Sequence, residues 1–215
     1  MEIFLIRHTT PAVARGICYG QADLNVTESF YHEATIIQQY LPPHIKAVYS
    51  SPLQRCTKLA AHLFKEHAIQ LQDNLKEINC GDWELQLWDN IPKDEIEPWM
   101  NDLINACIPG GESYLQVFER VVKCFYQIID QHSFGMEKAQ GTQADDSIRA
   151  LAIIAHGGVI RSILSYITQT PLQDSFRVFS LHYGCVIKII HEAGSLQHEV
   201  LSNIATEKET HKPSW

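Results

Sequence analysis

The amino-acid sequence predicts an α/β fold, a three-layer α/β/α sandwich around a mostly parallel central sheet. The first observation behind this prediction is a pair of uninterrupted apolar runs, residues 3–6 and 150–155. Runs of that length are typical of strands that helices cover on both faces. The second observation is that helix-like stretches alternate with these runs along the chain, which is the order that builds a parallel sheet.

Three further strands are expected from shorter signals. One lies at residues 45–50, between two helix-like stretches. The other two lie near the C-terminal end, at residues 185–191 and 196–201. They are expected to form a hairpin around the turn that begins at Ala193 and Gly194, because glycine between two apolar runs favours a tight turn.

The predicted helices lie between the strands, at residues 27–41, 52–67, 112–129 and 159–167. The first stops before Pro42, since a residue that precedes proline is disfavoured in helical conformation. The second carries apolar residues at helical spacing, and the third is apolar on more than one face. The fourth follows Gly157 and Gly158 directly.

We expect a single domain over residues 1–205, with residues 79–111 forming an irregular cap above the functional site. Residues 133–147 are polar and unpatterned, which predicts a mobile surface loop. Residues 206–215 are expected to be a polar, frayed tail. Within the cap, Trp83 and Trp88 have two interpretations: they stack on a substrate ring, or they anchor the segment to a core.

Charge and composition exclude several classes of protein. The 215 residues carry a formal net charge of −8, which disfavours a nucleic-acid surface or an anionic-membrane surface. The apolar run that ends before Arg7 is too short for a signal peptide or a membrane span, so we expect a cytoplasmic protein. The six cysteines are scattered without a CxxC pair and are expected to be reduced.

Two histidines follow the two apolar strands at equivalent places. His8 comes after the first strand and His156 after the strand at residues 150–155. Ligands bind beyond the carboxyl ends of the strands in open α/β sheets, so both imidazoles are expected to face one crevice. A single histidine at a strand end is more often structural, whereas two at equivalent positions favour a functional site.

Two arginines and a helix N-terminus are expected at the same crevice. Arg7 adjoins His8, and Arg55 lies at the first turn of a helix that follows a strand. A guanidinium group matches two phosphate oxygens at once, although surface salt bridges would explain either arginine alone. Gly157 opens a helix whose free N–H groups attract an anion. Together these groups predict a pocket for a phosphate dianion.

A carboxylic acid is needed to protonate an alkoxide that leaves phosphorus. Glu77 and Glu84 both lie near the Gly81 turn, where a loop could project over the crevice. From composition alone, each of the two glutamates is expected to be a solvated carboxylate on the surface.

Five motifs occur in the order of a known family, and together they span most of the chain. They are Arg7-His8, Ser-Ser-Pro-Leu-Gln-Arg at 50–55, Leu-Lys-Glu-Ile-Asn-Cys-Gly-Asp-Trp-Glu at 75–84, Pro-Gly-Gly-Glu-Ser at 109–113 and Ala-His-Gly-Gly at 155–158. With these motifs the sequence resembles the histidine phosphatase superfamily, in its phosphoglycerate mutase-like branch. The resemblance implies a phosphoglycerate mutase-like fold.

The resemblance also implies roles for individual residues. It makes His8 the histidine that is phosphorylated and Glu77, at the Leu-x-Glu position, the proton donor. Arg7, Arg55 and His156 then hold the phosphoryl oxygens. The backbone N–H of Gly157 is an extra phosphate contact.

Residues 16–24 are similar to a stretch of α-ribazole phosphatases, which act in cobalamin synthesis, and this likeness makes Gln21 a substrate-binding candidate. Three positions depart from the family pattern. Thr9 and Leu85 replace glycines that many relatives carry. Ala14 stands where mutase-type members often have asparagine.

The function implied by the resemblance is hydrolysis of a small-molecule phosphomonoester, α-ribazole 5′-phosphate first among them, with no metal and no cofactor. A phosphoglycerate mutase or a broad-specificity phosphatase of the same fold is the alternative. A catalytically inactive binding protein is disfavoured because every expected site residue is present. A metal-binding module is weaker still, because the eleven histidines show no ligand spacing. The oligomeric state stays open.

Overall fold

The computed structural model describes residues 1–133 and 150–205. Within these ranges six strands form one sheet, in the order β3-β2-β4-β1-β5-β6. Their bounds are β1 Glu2–Arg7, β2 Ala47–Ser50, β3 Ile69–Leu71, β4 Ala150–Ala155, β5 Val186–Glu192 and β6 Ser195–Ser202. The first four strands of the spatial order run parallel, and β5 and β6 are antiparallel to their neighbours. The predicted mostly parallel sheet is therefore confirmed.

Helices cover both faces of this sheet. Their bounds are α1 Phe30–Gln38, α2 Gln54–Leu63, α3 Lys93–Asn101, α4 Tyr114–Ser133, α5 Gly157–Thr168 and α6 Leu172–Val178. Strand β1 shows how the two layers arise, because its side chains alternate between the faces. Ile3 and Leu5 pack into a core with α4 and α5, while Phe4 and Ile6 pack into a second core with α1 and α2. The α/β/α sandwich is confirmed.

Three elements were not expected from the sequence. Strand β3 has three residues and lies at the sheet edge, where only Ile69 is half-buried, so it has almost no apolar pattern. Helix α3 lies in the segment expected to be irregular, and Pro98 inside it interrupts the helical signal. Helix α6 begins directly after Pro171 and has seven residues. A helix of this length is too short to show a periodic apolar stripe in the sequence.

The segment 79–111 has a small core of its own rather than a wholly irregular course. Trp83 is fully buried there and packs with Cys80, Ile96 and Ile108. This placement identifies Trp83 as a core anchor, not a stacking surface for substrate. Of the loop expected at 133–147, Ser133 ends helix α4, and the remainder lies outside the described residues, as does the tail 206–215.

None of the helices in the described ranges combines the length and the apolar character that a membrane crossing requires.

The sheet register brings the two histidine-bearing strands side by side. Strands β1 and β4 pair in parallel, and Arg7 lies opposite Ala155. The backbone N–H of His8 then donates to the carbonyl of Ala155 at 3.0 Å. His8 and His156 therefore leave the sheet at the same level of its carboxyl edge.

Candidate active site

The two imidazole rings meet at the carboxyl edge of the sheet, as the strand register requires. The ring centroids of His8 and His156 are 5.1 Å apart, and the rings meet edge to face. Both side chains are buried, but His8 lies on the wall of a cavity of about 530 Å³. This volume is in the range of small-molecule binding sites.

The backbone fixes which nitrogen of His8 carries the proton. Nδ1 of His8 lies 2.7 Å from the carbonyl oxygen of Thr9. A carbonyl only accepts hydrogen bonds, so Nδ1 holds the proton and Nε2 keeps its lone pair. Nε2 of His8 also accepts a hydrogen bond from Nε of Arg55 at 3.3 Å. His8 is thus oriented with a nucleophilic nitrogen beside a guanidinium group.

Arg55 is a fully buried cation at the start of helix α2. Its terminal nitrogens donate to the carbonyls of Ala22, at 2.8 Å, and Gly20, at 2.6 Å. No carboxylate of the described residues forms an ion pair with it. Burial of an unneutralised charge is costly, so this geometry favours an anion in the cavity beside Arg55.

Arg7 approaches the same cavity from the end of β1. Its guanidinium group donates to the carbonyl of Leu181 and lies 4.0 Å above the centre of the Tyr183 ring. The Tyr183 hydroxyl in turn hydrogen-bonds the Tyr19 hydroxyl at 2.6 Å. The cation–π contact and the tyrosine pair hold Arg7 at the wall of the cavity.

Helix α5 points its N-terminus at this cavity, with His156 as the preceding residue. Gly157 and Gly158 both line the cavity. A β-carbon at Gly157 would lie 3.3 Å from Cζ of Arg7, closer than most such contacts. The absence of a side chain at Gly157 leaves its N–H open to an anion, whereas the N–H of Gly158 donates to Glu77.

His156 lies behind the wall rather than on it. Its Nε2 is 2.8 Å from Oγ of Ser51 and 3.5 Å from Sγ of Cys56. Burial, reinforced by the positive charge of Arg55, holds the pKa of His156 well below its usual range. His156 is therefore neutral at physiological pH and supplies hydrogen bonds rather than charge.

Glu77 lies on the wall opposite the sheet edge, at the N-terminus of α5. Its Oε2 accepts a hydrogen bond from the N–H of Gly158 at 3.0 Å, and its Oε1 accepts one from Ile78 at 3.0 Å. A β-carbon at Gly158 would lie 2.2 Å from Oε1. Glycine at position 158 is therefore required for this placement of the carboxyl group.

The loop that carries Glu77 is fastened by Arg120 of helix α4. Arg120 forms two hydrogen bonds with the carboxylate of Glu112, at 2.8 and 2.9 Å. Its remaining N–H groups donate to the backbone carbonyls of Asn74, Lys76 and Glu77. The amide of Gln21 also donates to the Glu77 carbonyl, at 3.1 Å.

Glu84, the other candidate acid, has a structural position. Its carboxylate accepts hydrogen bonds from four backbone N–H groups, those of Gly20, Gln21, Ala22 and Cys80. These bonds tie the loop before Arg55 to the cap segment, away from the cavity wall. The geometry therefore favours Glu77 over Glu84 as the acid that faces a substrate.

The outer part of the cavity is aromatic and cationic. Trp88 and Trp99 lie on its wall with their rings stacked at 6.0 Å and an angle of 22°. Arg161 and Phe176 line another part of the wall. The cap segment therefore contributes side chains to the cavity, through Trp88, Trp99 and Leu103.

Residues 3–204 match the sequence model of the histidine phosphatase superfamily (branch 1). The chain belongs to this superfamily. The recognition made from the five sequence motifs is confirmed.

Within the histidine phosphatase superfamily, the chain is similar to proteins with different named activities. It is 31% identical over 182 residues to a metal-independent phosphoserine phosphatase of Arabidopsis thaliana, covering 78% of this chain and 69% of the relative. It is 21% identical over 192 residues to an adenosylcobalamin/α-ribazole phosphatase of Escherichia coli, covering 86% and 87%. The α-ribazole phosphatase of Shigella flexneri has the same fold, with a TM-score of 0.80, 22% identity and coverage of 96% and 100%.

The histidine phosphatase fold brings most of the expected site residues to one cavity. Five of them line it: Arg7, His8, Arg55, Glu77 and Gly157. His156 supports the site from behind. Gln21 does not lie on the wall, so we revise its expected role from contacting substrate to holding the Glu77 loop.

Other cavity residues were not singled out from the sequence. Tyr19 lies in the 16–24 stretch, and Tyr183 and Trp99 carry no motif of their own. Arg161 comes four residues after Gly157, one helical turn along the same face of α5. That spacing is the signal that could have identified Arg161.

Proposed function

We propose that this protein is a phosphomonoester hydrolase that works through a phosphohistidine on His8. The observation that carries the proposal is the position of Nε2 of His8, which keeps its lone pair beside the buried Arg55 guanidinium. Arg7 and the N-terminus of α5 face the same cavity. The phosphatase names of the relatives support the same reaction class.

In the first step, Nε2 of His8 attacks phosphorus in line as the bond to the leaving oxygen breaks. Protonated Glu77 transfers its proton to that oxygen, which departs as an alcohol. In the second step, Glu77 accepts a proton from water. The resulting hydroxide attacks phosphorus, the N–P bond breaks and phosphate leaves. Arg7, Arg55 and the N–H of Gly157 at the start of α5 stabilise the phosphoryl oxygens in both steps.

Both steps are proposed to proceed without a metal ion. Two guanidinium groups and a helix N-terminus supply the positive charge that Mg²⁺ supplies in other phosphoryl-transfer enzymes. The metal-independent relative from Arabidopsis supports this assignment. EDTA is expected to leave the rate unchanged, and a clear loss would favour a metallophosphatase.

The first substrate candidate is α-ribazole 5′-phosphate, in a cytoplasmic step of cobalamin biosynthesis. The similarity of residues 16–24 to α-ribazole phosphatases supports it, as does the relative named for this activity. The stacked pair of Trp88 and Trp99 offers an aromatic wall for a planar base. We propose no nucleic-acid and no membrane partner, in keeping with the net charge of −8.

The second substrate candidate is a phosphomonoester that carries a carboxylate, such as phosphoserine. One relative is named a phosphoserine phosphatase. The cationic Arg161 on the outer wall is the feature of this chain that favours such a substrate. A screen of phosphate release from α-ribazole 5′-phosphate, phosphoserine, sugar phosphates and phosphoglycerates ranks the two candidates.

A phosphoglycerate mutase would share the phosphohistidine but return the phosphoryl group to its substrate. Incubation with 3-phosphoglycerate separates the two reactions, because a mutase produces 2-phosphoglycerate and a hydrolase produces free phosphate. We expect free phosphate.

The decisive experiment compares the wild-type protein with His8→Ala. Wild-type protein that is quenched during turnover of ³²P-labelled substrate should carry acid-labile, base-stable label, and His8→Ala should show neither label nor turnover. His198→Ala is the matched control, since His198 is exposed on β6, far from the cavity wall. A normal rate in His8→Ala would exclude the proposed reaction.

A further inference from the structure

Arg161 is the one guanidinium group on the cavity wall that the proposed chemistry does not use. It lies four residues after Gly157 in helix α5, so the two Cα atoms are roughly 6 Å apart along the helix axis. Side chains on a helix lean towards its N-terminus, which is the end that faces the phosphate pocket. The glycines at 157 and 158 place no side chain between Arg161 and the cavity.

Helix α6 holds the Arg161 guanidinium group in place from one side. Cζ of Arg161 lies 4.6 Å from the centre of the Phe176 ring, and its Nη2 donates to the carbonyl of Phe179 at 3.4 Å. This anchorage differs from that of Arg7 and Arg55, which are fixed by the loops around His8. Arg161 is therefore fixed by a different set of contacts from the other two arginines.

Arg161 has no acidic partner. No carboxylate of residues 1–133 and 150–205 forms an ion pair with it, and its Nε is buried without a hydrogen bond. Among the residues that the structure describes, Glu77 is the only acid on the cavity wall, against three arginines. In the proposed first step Glu77 carries a proton, so a phosphate dianion balances two of those arginines and the positive charge of Arg161 is left unbalanced.

Tyr114 and Gly158 connect Arg161 to the proposed acid. The Tyr114 hydroxyl, a hydrogen-bonding neighbour of Arg161, donates to the carbonyl of Gly158 at 3.1 Å. The N–H of that same residue donates to Glu77, the proposed acid for the leaving oxygen. The atoms of a substrate that lie beyond the leaving oxygen would therefore approach Arg161.

We propose that Arg161 is a specificity-determining residue that binds a carboxylate on the leaving group of the substrate. The buried Nε and the terminal nitrogens together form the planar fork that matches a carboxylate. The inference rests on the proposed phosphatase activity, and it favours the carboxylate-bearing substrate class over the neutral α-ribazole ring. The tryptophan wall then contacts the apolar part of the same leaving group.

The test uses two substrates that differ at one group. In 3-phosphoglycerate a carboxylate occupies the place of the terminal hydroxymethyl group of glycerol 3-phosphate. Wild-type protein should hydrolyse 3-phosphoglycerate with the higher kcat/KM. Arg161→Gln should reduce the ratio of the two kcat/KM values by roughly 10–100-fold, the value of a charge-assisted hydrogen bond. Arg161→Lys keeps the charge but loses the fork, and should give an intermediate ratio.

Arg177→Gln is the matched control, because Arg177 lies on the neighbouring helix α6, is exposed and pairs with Asp174. It should leave the ratio as in wild type. An equal loss on both substrates would assign Arg161 to the phosphoryl group and overturn the proposal, as would a wild-type ratio near one. If Arg161→Gln fails to fold, the ratio of the two kcat/KM values in Arg161→Lys and in wild-type protein tests the proposal instead. Wild-type protein that hydrolyses neither substrate nor p-nitrophenyl phosphate, and forms no phosphohistidine, would instead refute the phosphatase itself.

Discussion

Gly158 and Glu77 are in direct contact across the candidate active site. The Gly158 N–H donates to Oε2 of Glu77 at 3.0 Å, and a β-carbon at position 158 would lie 2.2 Å from Oε1. The start of helix α5 therefore lines the proposed phosphate pocket and positions the proposed acid. Gly158 therefore connects the N-terminus of α5 to the proposed proton donor.

Gly158→Ala should displace the Glu77 carboxyl group, because no β-carbon tolerates an oxygen at 2.2 Å. We expect kcat for alkyl phosphates to fall by roughly 10²–10⁴-fold, the usual contribution of general acid catalysis. Gly157→Ala is the control, since its β-carbon would meet Arg7 at 3.3 Å and would disturb phosphate binding instead. Steady-state kinetics on both variants check this, and a Gly158→Ala protein with wild-type kcat would contradict it.

Glu77→Gln should lose activity in proportion to the basicity of the leaving group. The loss should be roughly 10²–10⁴-fold for alkyl phosphates and smallest for p-nitrophenyl phosphate, whose leaving group needs no proton. Rates across a series of phenyl and alkyl phosphates measure this dependence. An equal loss on every substrate would remove Glu77 from the role of acid.

Glu84→Gln serves as the comparison for Glu77→Gln. The Glu84 carboxylate accepts hydrogen bonds from four backbone N–H groups. Its replacement should therefore lower the free energy of unfolding by about 2–3 kcal/mol. Any loss of rate should be the same for good and poor leaving groups. Urea unfolding and the same substrate series separate the two glutamates.

The neutral, buried His156 should make stability depend on pH. Its pKa in the folded protein is well below the value of about 6.5 in the unfolded chain, so below that pH the unfolded chain binds more protons. The free energy of unfolding should therefore fall as pH drops below about 6.5, by up to about 1.4 kcal/mol per pH unit. Urea unfolding at pH 7.5, 6.5 and 5.5 measures the slope. His156→Asn should flatten this pH dependence of the free energy of unfolding. An unchanged slope in that variant would show that His156 is not its cause.

Leu85 should be replaceable by glycine with a gain in stability. Its backbone has a φ of 65°, in the left-handed region that disfavours side chains, and its side chain is exposed. Leu85→Gly should raise the free energy of unfolding by roughly 0.5–1 kcal/mol. Leu87→Gly is the control, because Leu87 has a φ of −66° and should lose stability. Thermal unfolding of both variants measures these changes in stability. A Leu85→Gly protein less stable than wild type would contradict the proposed backbone strain at Leu85.

The sequence predicted the parts of the fold that depend on long patterns. The apolar runs of β1 and β4 and the stripes of α2 and α4 have enough residues to show their periodicity. Strand β3 and helix α6 are too short to do so. Their positions are set by packing at the sheet edge and above α5, which no local pattern records.

The residues of the candidate site also fall into those that the sequence predicts and those that only tertiary packing brings to the cavity. His8, Arg55 and Glu77 lie in motifs, so they could be selected before their distances were known. Arg161 and Trp99 reach the cavity only through the packing of α5 and the cap segment. Gln21 lies in a motif too, but its amide turns towards the Glu77 backbone, and that direction depends on tertiary contacts.

The place of β1 in the sheet has a consequence for biosynthesis. Of the six described strands β1 is made first, yet it lies between β4 and β5 in the sheet. One of its hydrogen-bonding edges pairs with β4, and the other stays unfilled until about residue 190 has been made. A nascent chain thus holds His8 long before it holds His156 and Tyr183, whose rings lie beside it, and we expect catalysis only once both edges are paired. Recovery of enzymatic rate during refolding should therefore report completion of the whole sheet.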